Sequence, residues 1–335
     1  MSEVPVSVKE RAEERAETLR LEKKFSQKEM LANFTPFFGL VFIILLFSAV
    51  TGGTFLSSSN VANLVNQSFN LAIISVGVSF VYAHGGMDMS IGAVIGVSSL
   101  AGAYCWIQPE VPVIVGFIAA MAVGALCAFI TSSIHVVARV PVFVASLCMK
   151  YICTGIITTA VSKSDVFINF DQFKFLNNGV LKLVVLLVIL GLGYFAFEYT
   201  RLGKEMKAIG GNKTMAYQNG VKVRGRTITA FLILGALIGV VAMFSLARVG
   251  NVNASTGAGM EFDAMTVIVL GGFPIQGGSK AKLRSAIVGA VTVAVLTNGL
   301  TLWGISPYLI YGIKGLLFLA IVGLSYERKK GAIVT

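Results

Sequence analysis

The chain is predicted to be an all-α polytopic membrane protein of about ten transmembrane helices, some of them broken or re-entrant. Three observations carry this expectation. Of the 335 residues, 56% are hydrophobic and only 13% charged, whereas soluble domains carry about 25% charged residues. The mean hydropathy is +0.81. The apolar residues also fall in runs close to the roughly 20 residues a helix needs to cross hydrocarbon, separated by short polar breaks. Water could not solvate such a surface, which argues against a soluble enzyme, a disordered protein and a nucleic-acid-binding module.

Residues 1–30 hold seven Lys/Arg and seven Glu, and read as a solvated helix or tail. That segment is too acidic for a secretory signal. The domain plan is a charged tail over 1–35, a transmembrane domain over 36–326 and a short tail over 327–335. Spans are expected at about 37–56, 61–83, 91–107, 112–134, 141–161, 179–199, 227–247, 264–279, 285–303 and 308–325. Glycine interrupts 91–107 and 264–279. Both are expected to be tilted, broken or re-entrant, which is allowed only where other protein covers the freed backbone groups.

The net charge of +11 reads as orientation rather than as affinity for nucleic acid. With ten spans and an inside N-terminus, 21 Lys/Arg fall on inner segments and four (Lys163, Lys174, Lys182 and Arg248) on outer ones. This is the positive-inside pattern, with both termini cytoplasmic. Eight spans plus two re-entrant segments fit nearly as well. Lys150 and Lys314 lie within spans and are expected to snorkel or to face an aqueous cavity. Cys105, Cys127, Cys148 and Cys153 all fall in apolar runs. They read as buried free thiols, with neither a disulfide framework nor a zinc site.

One sizeable inner loop, residues 200–226, is patterned beyond a plain connector. Asn212 is placed to N-cap a short helix through Met215, Ala216 and Gln218, with Gly220 as its stop. Such a knob either docks into a groove on another protein or is a solvated connector. The nearest approach to a phosphate-binding loop, Gly210-Gly211-Asn212-Lys213-Thr214, lacks the glycine before Lys213 and follows no strand. No nucleophile elbow, HExxH or carboxylate pair appears, so no catalytic residue and no metal site is assigned.

Two glycine-rich breaks share a GG-x-x-apolar-x-x-G pattern: Gly85-Gly86-Met87-Asp88-Met89-Ser90-Ile91-Gly92 and Gly271-Gly272-Phe273-Pro274-Ile275-Gln276-Gly277-Gly278. They hint at a duplicated bend. Asp88 reads either as an interfacial cap for the helix starting near Ser90 or as a functional intramembrane charge. Thr297 and Asn298 bring polar groups to mid-span, for interhelical hydrogen bonding or for lining a pathway. The segment from Arg248 to Asp263 faces outside on the ten-span topology. It reads as a partner or solute surface, or as an exposed loop with a local Arg248–Glu261 pair.

With these motifs the chain resembles the membrane permease subunits of bacterial ABC importers for monosaccharides, the ribose/xylose/galactose-type group, from about residue 35 to 325. The markers are Gly85–Gly92, Arg139-Val-Pro141-x-Phe143-Val and Arg201-Leu-Gly203. To these are added Ala208-Ile-Gly210-Gly211-Asn212 with Gly220-Val221, and Gly259-x-Glu261-x-Asp263-Ala264 leading into Val269-Leu-Gly271-Gly272. The resemblance implies a type II-like importer permease fold in the bacterial cytoplasmic (inner) membrane. It implies a second permease subunit, identical or not, around one path, with alternating access as mechanism.

It also implies that Gly203, Ala208, Gly210, Gly211, Asn212 and Gly220 couple to a separate ABC ATPase, which holds the ATP and Mg; no cofactor is expected on this chain. Arg248, Glu261 and Asp263 would face an extracytoplasmic solute-binding protein. Asp88, Ser90, Thr297 and Asn298 are the pathway or gate candidates. His84 and Cys148–Lys150 depart from the small or hydroxyl residues usual in the group and leave the sugar open. The alternatives are a related permease for nucleosides, branched amino acids or a sugar-like signal molecule, and an ion-coupled carrier. The carrier would need more intramembrane carboxylates than Asp88 and Glu261.

Overall fold

The computed structural model describes residues 36–108 and 110–325. The charged segment 1–30 and the tail 327–335, with the basic residues Arg328, Lys329 and Lys330, lie outside the described residues. The elements in order are α1 (Pro36–Val50), α2 (Ser58–Ala83), α3 (Ile91–Trp106), α4 (Val113–Ala138), α5 (Val142–Ala160), β1 (Val166–Phe167), the short α6 (Phe170–Phe173) and α7 (Gly179–Tyr194). After them come α8 (Arg201–Gly211), α9 (Lys213–Gln218), α10 (Val223–Val249), β2 (Asn251–Val252), α11 (Met260–Leu270), α12 (Leu283–Leu302) and α13 (Pro307–Ser325).

Apolar runs become helices here because lipid offers the backbone no partner, so each segment must satisfy its own N–H and C=O groups. Among the described residues, six helices are long and apolar enough to cross a membrane: α2, α4, α5, α7 extended to Tyr199, α10 and α12. Shorter apolar helices are Pro36–Val50, Ile91–Trp106 and Tyr308–Ile321. The glycine-interrupted run 264–279 is broken, as expected, rather than one helix. α11 covers only 11 residues, about 16 Å at 1.5 Å per residue, against a hydrocarbon core of about 30 Å. The run stays rich in apolar residues, but Gly272, Gly277 and Gly278 take left-handed backbone angles and Pro274 cannot continue a helix.

α10 is the hub of the bundle. It crosses α4 where Gly124 and Gly235 face each other so closely that a Cβ on either would strike the other's carbonyl oxygen. Leu234 of α10 fills the notch left by Gly77 of α2, and Met243 fills that left by Gly102 of α3. Small residues let these backbones approach, which is how dispersion holds helices together in a solvent as apolar as they are. About two-thirds of the central parts of α2 and α10 is buried, against 17% for α7, so α7 lies on the outside of the bundle.

The bundle has two distinct ends. At one, β1 and β2 form an antiparallel ribbon pairing Val166 with Val252 and Phe167 with Asn251. At the other, α8 and α9 form a projecting knob against the end of α2 and the turn after α11. These are called the ribbon end and the knob end below.

Candidate functional site

The knob is built by local rules. α7 runs into a π-turn at Phe195–Tyr199, and the chain then bends so sharply that a Cβ on Gly203 would overlap the Phe197 carbonyl. Asn212 accepts a hydrogen bond from Met215 N (3.0 Å) as the N-cap of α9. Gly220 closes that helix at φ 81°, with Val221 N donating to Ala216 O (3.1 Å). Ile209, Ala216 and Val223 form a small core beneath it. Met215 and Tyr217 stand out at 58% and 73% exposure, two apolar side chains on a polar loop.

Glu198 was not among the residues the motifs singled out, yet it ties the knob to the bundle. One of its oxygens pairs with Lys207 Nζ (2.5 Å) and the other accepts Leu283 N (3.1 Å) at the start of α12. Arg226 pairs with Glu205. Gly210 sits where any side chain would overlap the Ala83 carbonyl oxygen at the end of α2, and Gly278 N donates to that same oxygen (3.0 Å). The two glycine-rich breaks therefore meet: Gln276–Gly278 lies on Ala83–Gly85 with the end of α8 across both. By contrast a Cβ on Gly211 would meet nothing within 4 Å, and Ala208 is exposed. Burial holds the His84 imidazole neutral, its pKa lowered to about 4.

From this junction residues 84–90 run into the bundle without helical structure, and α3 starts inside it. Asp88 is 2% exposed. Its Oδ1 accepts both Ser90 N (2.7 Å) and Ser90 Oγ (2.6 Å), while Met89 N donates to Ser146 Oγ of α5 (3.0 Å). Asp88 does form a turn before α3, but a buried one, not the interfacial cap that its place between spans suggested. The loop 250–259 enters from the ribbon end, with Gly250, Gly257 and Gly259 left-handed, and delivers the N-terminus of α11 against that of α3. A Cβ on Gly92 would overlap both Glu261 Oε2 and Gly257 O.

Charges gather where these two helix starts abut. Glu261, 3% exposed, pairs with Lys150 of α5 at 2.7 Å. Asp263 pairs with Lys314 of α13 at 2.5 Å. Neither lysine snorkels, because each finds a carboxylate within the bundle. Beside them a cavity of about 470 Å³ between α11 and α13 is lined by Gly259, Glu261, Phe262, Tyr311, Lys314 and Phe318, among others.

Other expectations are corrected or narrowed. The local Arg248–Glu261 pair does not form: Arg248 donates to Asn63 Oδ1 (3.3 Å). Of the three outer-face contact candidates Glu261 is buried, while Arg248 and Asp263 are half-buried, Asp263 being engaged with Lys314. Asn298 exchanges two hydrogen bonds with Asn60 of α2 (2.8 and 2.9 Å), and Thr297 Oγ1 donates to Val293 O of its own helix (2.8 Å). Asn298 thus bonds across helices, whereas Thr297 bonds only within its own. All four thiols are free, but Cys148 is exposed on α5 rather than buried, and Cys127 and Cys153 lie 3.9 Å apart.

A buried charge centre between two helix starts, tied through glycine junctions to a capped surface knob, suits a path subunit that receives force from elsewhere. The family described as branched-chain amino acid transport system / permease component matches residues 60–322. The chain belongs to this permease family. The permease is 28% identical over 316 residues to the ribose import permease protein of Escherichia coli (strain K12), covering 92% of this chain and 98% of that protein. It is 26% identical over 319 residues to the D-allose transport system permease protein of the same strain, covering 92% and 97%. The fructose import permease protein of Rhizobium meliloti is 24% identical over 310 residues, covering 89% and 86%. No solved structure matches the chain. The permease is a multi-pass membrane protein and a non-catalytic component of its transport system.

Proposed function

We propose that this permease is the pathway subunit of an ATP-driven importer that moves a monosaccharide into the cytoplasm by alternating access. The observation that carries the reading is similarity along nearly the whole chain to proteins named as ribose, allose and fructose permeases. The family description mentions branched-chain amino acids, but the names of these relatives favour a sugar. ATP and Mg sit on a separate ATPase, an extracytoplasmic binding protein delivers the sugar, and a second permease subunit completes the path. The chain crosses the inner membrane in about ten segments, with the knob end cytoplasmic and the ribbon end outside.

In this reading α9 enters a cleft on the ATPase. Its displacement passes through α8 at Gly210 to the stacked breaks at Ala83–Gly85 and Gln276–Gly278, and from there to the abutting starts of α3 and α11. The Lys150–Glu261 and Lys314–Asp263 pairs make α5 and α13 follow α11. Two helix starts held by ion pairs form an element that can exchange arrangements as a unit, as alternating access requires.

Reconstituted with its ATPase and binding protein, the permease is expected to give ATP-dependent uptake of at least one labelled aldose or ketose. Uptake of leucine or valine with no uptake across a sugar panel would overturn the substrate class. The orientation has its own test. In a cysteine-free background, Ser255→Cys at an exposed position is expected to react with a membrane-impermeant maleimide added outside intact cells, and Tyr217→Cys is not. Reaction of Tyr217→Cys alone would reverse the topology. Gly257 is unsuited to this probe, because its φ is 80° and a side chain there would strike Gly92 O.

A further inference from the structure

The charge centre has a side that faces out of the bundle. α11 is ion-paired to two neighbours, through Glu261 to Lys150 of α5 and through Asp263 to Lys314 of α13. Lys150 falls near the middle of α5, one of the six crossing helices, and its side chain is 26% exposed. A partly open ammonium at that depth is costly against hydrocarbon. This face of the chain therefore adjoins water or other protein rather than acyl chains.

Two aromatic rings open beside these pairs. Phe262 of α11 is 48% exposed and Tyr311 of α13 is 43% exposed. The Lys150 ammonium stands 5.6 Å from the centre of the Phe262 ring, and the Lys314 ammonium 5.8 Å from that of Tyr311. One more such contact occurs among the described residues, Lys207 with Phe197 in the knob, but there the ring is fully buried. Tyr311 is held in place. Its hydroxyl donates to Ala258 O (3.3 Å), and it can lie there because Gly259 has no side chain to strike the ring. Both rings line the hollow of about 470 Å³ described above, a size within the range of about 300–1,000 Å³ usual for small-molecule sites.

A monosaccharide presents C–H groups on the faces of its ring and hydroxyls around its edge. Open aromatic faces suit the first. A mostly apolar hollow with a few placed polar groups suits the whole molecule. Glu261 and Lys314 line this hollow beside the rings, and an ammonium paired with one carboxylate oxygen keeps further N–H groups for a hydroxyl. A hydrocarbon tail in the same place would leave those polar groups unanswered. Building on the sugar-importer reading above, we propose that this hollow is where the permease itself contacts the sugar in transit. Phe262 and Tyr311 lie against the sugar ring, and Glu261 and Lys314 meet its hydroxyls. The floor of the site is α11, the helix that displacement of the knob reaches, so the movement that shifts α11 also opens and closes the contact.

The test places a reporter thiol in the hollow of the full chain, assembled with its ATPase in nanodiscs and otherwise free of cysteine. Gly315 lines the hollow and a side chain there meets nothing within 4 Å. Gly315→Cys is expected to react with a water-soluble maleimide. Gly191→Cys, equally open but on α7, is expected not to react. Millimolar D-ribose, D-allose or D-fructose, whichever the same preparation imports with its binding protein, is expected to slow the Gly315→Cys reaction, and leucine is not. Adding Phe262→Leu is expected to weaken that protection about tenfold, the worth of one aromatic contact, whereas Phe262→Tyr keeps it. Equal reaction at Gly315→Cys and Gly191→Cys would overturn the site. So would full protection in Phe262→Leu, or no protection by a sugar that is imported, and both would leave the importer reading standing. Leucine uptake with no sugar uptake would overturn that reading and the site with it.

Discussion

Replacing Lys150 by methionine is expected to destabilise the permease by about 3–5 kcal/mol, the cost of leaving a buried carboxylate without its partner. Glu261 lies 3% exposed with its Oε2 already lacking a hydrogen bond, so the loss of the 2.7 Å contact to Lys150 leaves it no replacement among the described residues. Unfolding in detergent micelles, followed by tryptophan fluorescence or a thiol-accessibility assay, reads the effect. The double variant Lys150→Met/Glu261→Gln is expected to recover most of the loss, because it removes both charges and keeps similar volume. A single variant as stable as wild type would show that the pair does not hold α5 to α11.

Gly210→Val is expected to cut ATP-driven uptake at least tenfold while leaving the protein in the membrane. The reason is steric and local. The side chain would overlap Ala83 O and press on Gly278 N, lifting α8 from the junction through which knob movement must pass. Gly211→Ala is the matched control, since nothing lies within 4 Å of a side chain there, and it is expected to transport normally. ATP hydrolysis by the complex, measured beside uptake, separates uncoupling from loss of assembly: hydrolysis retained with uptake lost is the expected pattern. Equal uptake by Gly210→Val and Gly211→Ala would remove α8 from the coupling route.

Most of the fold was legible because its signals are local. A run such as 227–247 must be helical to satisfy its backbone in lipid, and α10 covers it as Val223–Val249. The α9 knob was legible for the same reason. Asn212, three residues before the N–H it caps, and Gly220, two residues past the helix, are short-range devices. The break in the run 264–279 was legible in its glycines; the left-handed glycines and Pro274 end α11 at Leu270.

The charge centre was legible only in part. Asp88, Glu261 and Asp263 attracted attention as rare carboxylates, but nothing nearby in sequence named their partners. Lys150 and Glu261 are 111 residues apart, Lys314 and Asp263 are 51, and Asn60 and Asn298 are 238. Glu198 and Asn60 left no sequence signal at all. A polar residue in an apolar run looks the same whether it packs, pairs or lines a path.

By itself, then, the amino-acid order determined that this chain lives in a bilayer, where its helices run, and that one capped loop projects between α7 and α10. Hydropathy and capping act over a few residues, and lipid forces each helix to close its own hydrogen bonds. Only the tertiary structure decided that the two glycine breaks stack, that α3 and α11 start against each other, and that Lys150 and Lys314 each meet a carboxylate. Those outcomes depend on which helix surfaces approach most closely. The glycines at positions 77, 92, 124, 210 and 235 set that approach through packing across the bundle, and no local pattern encodes it.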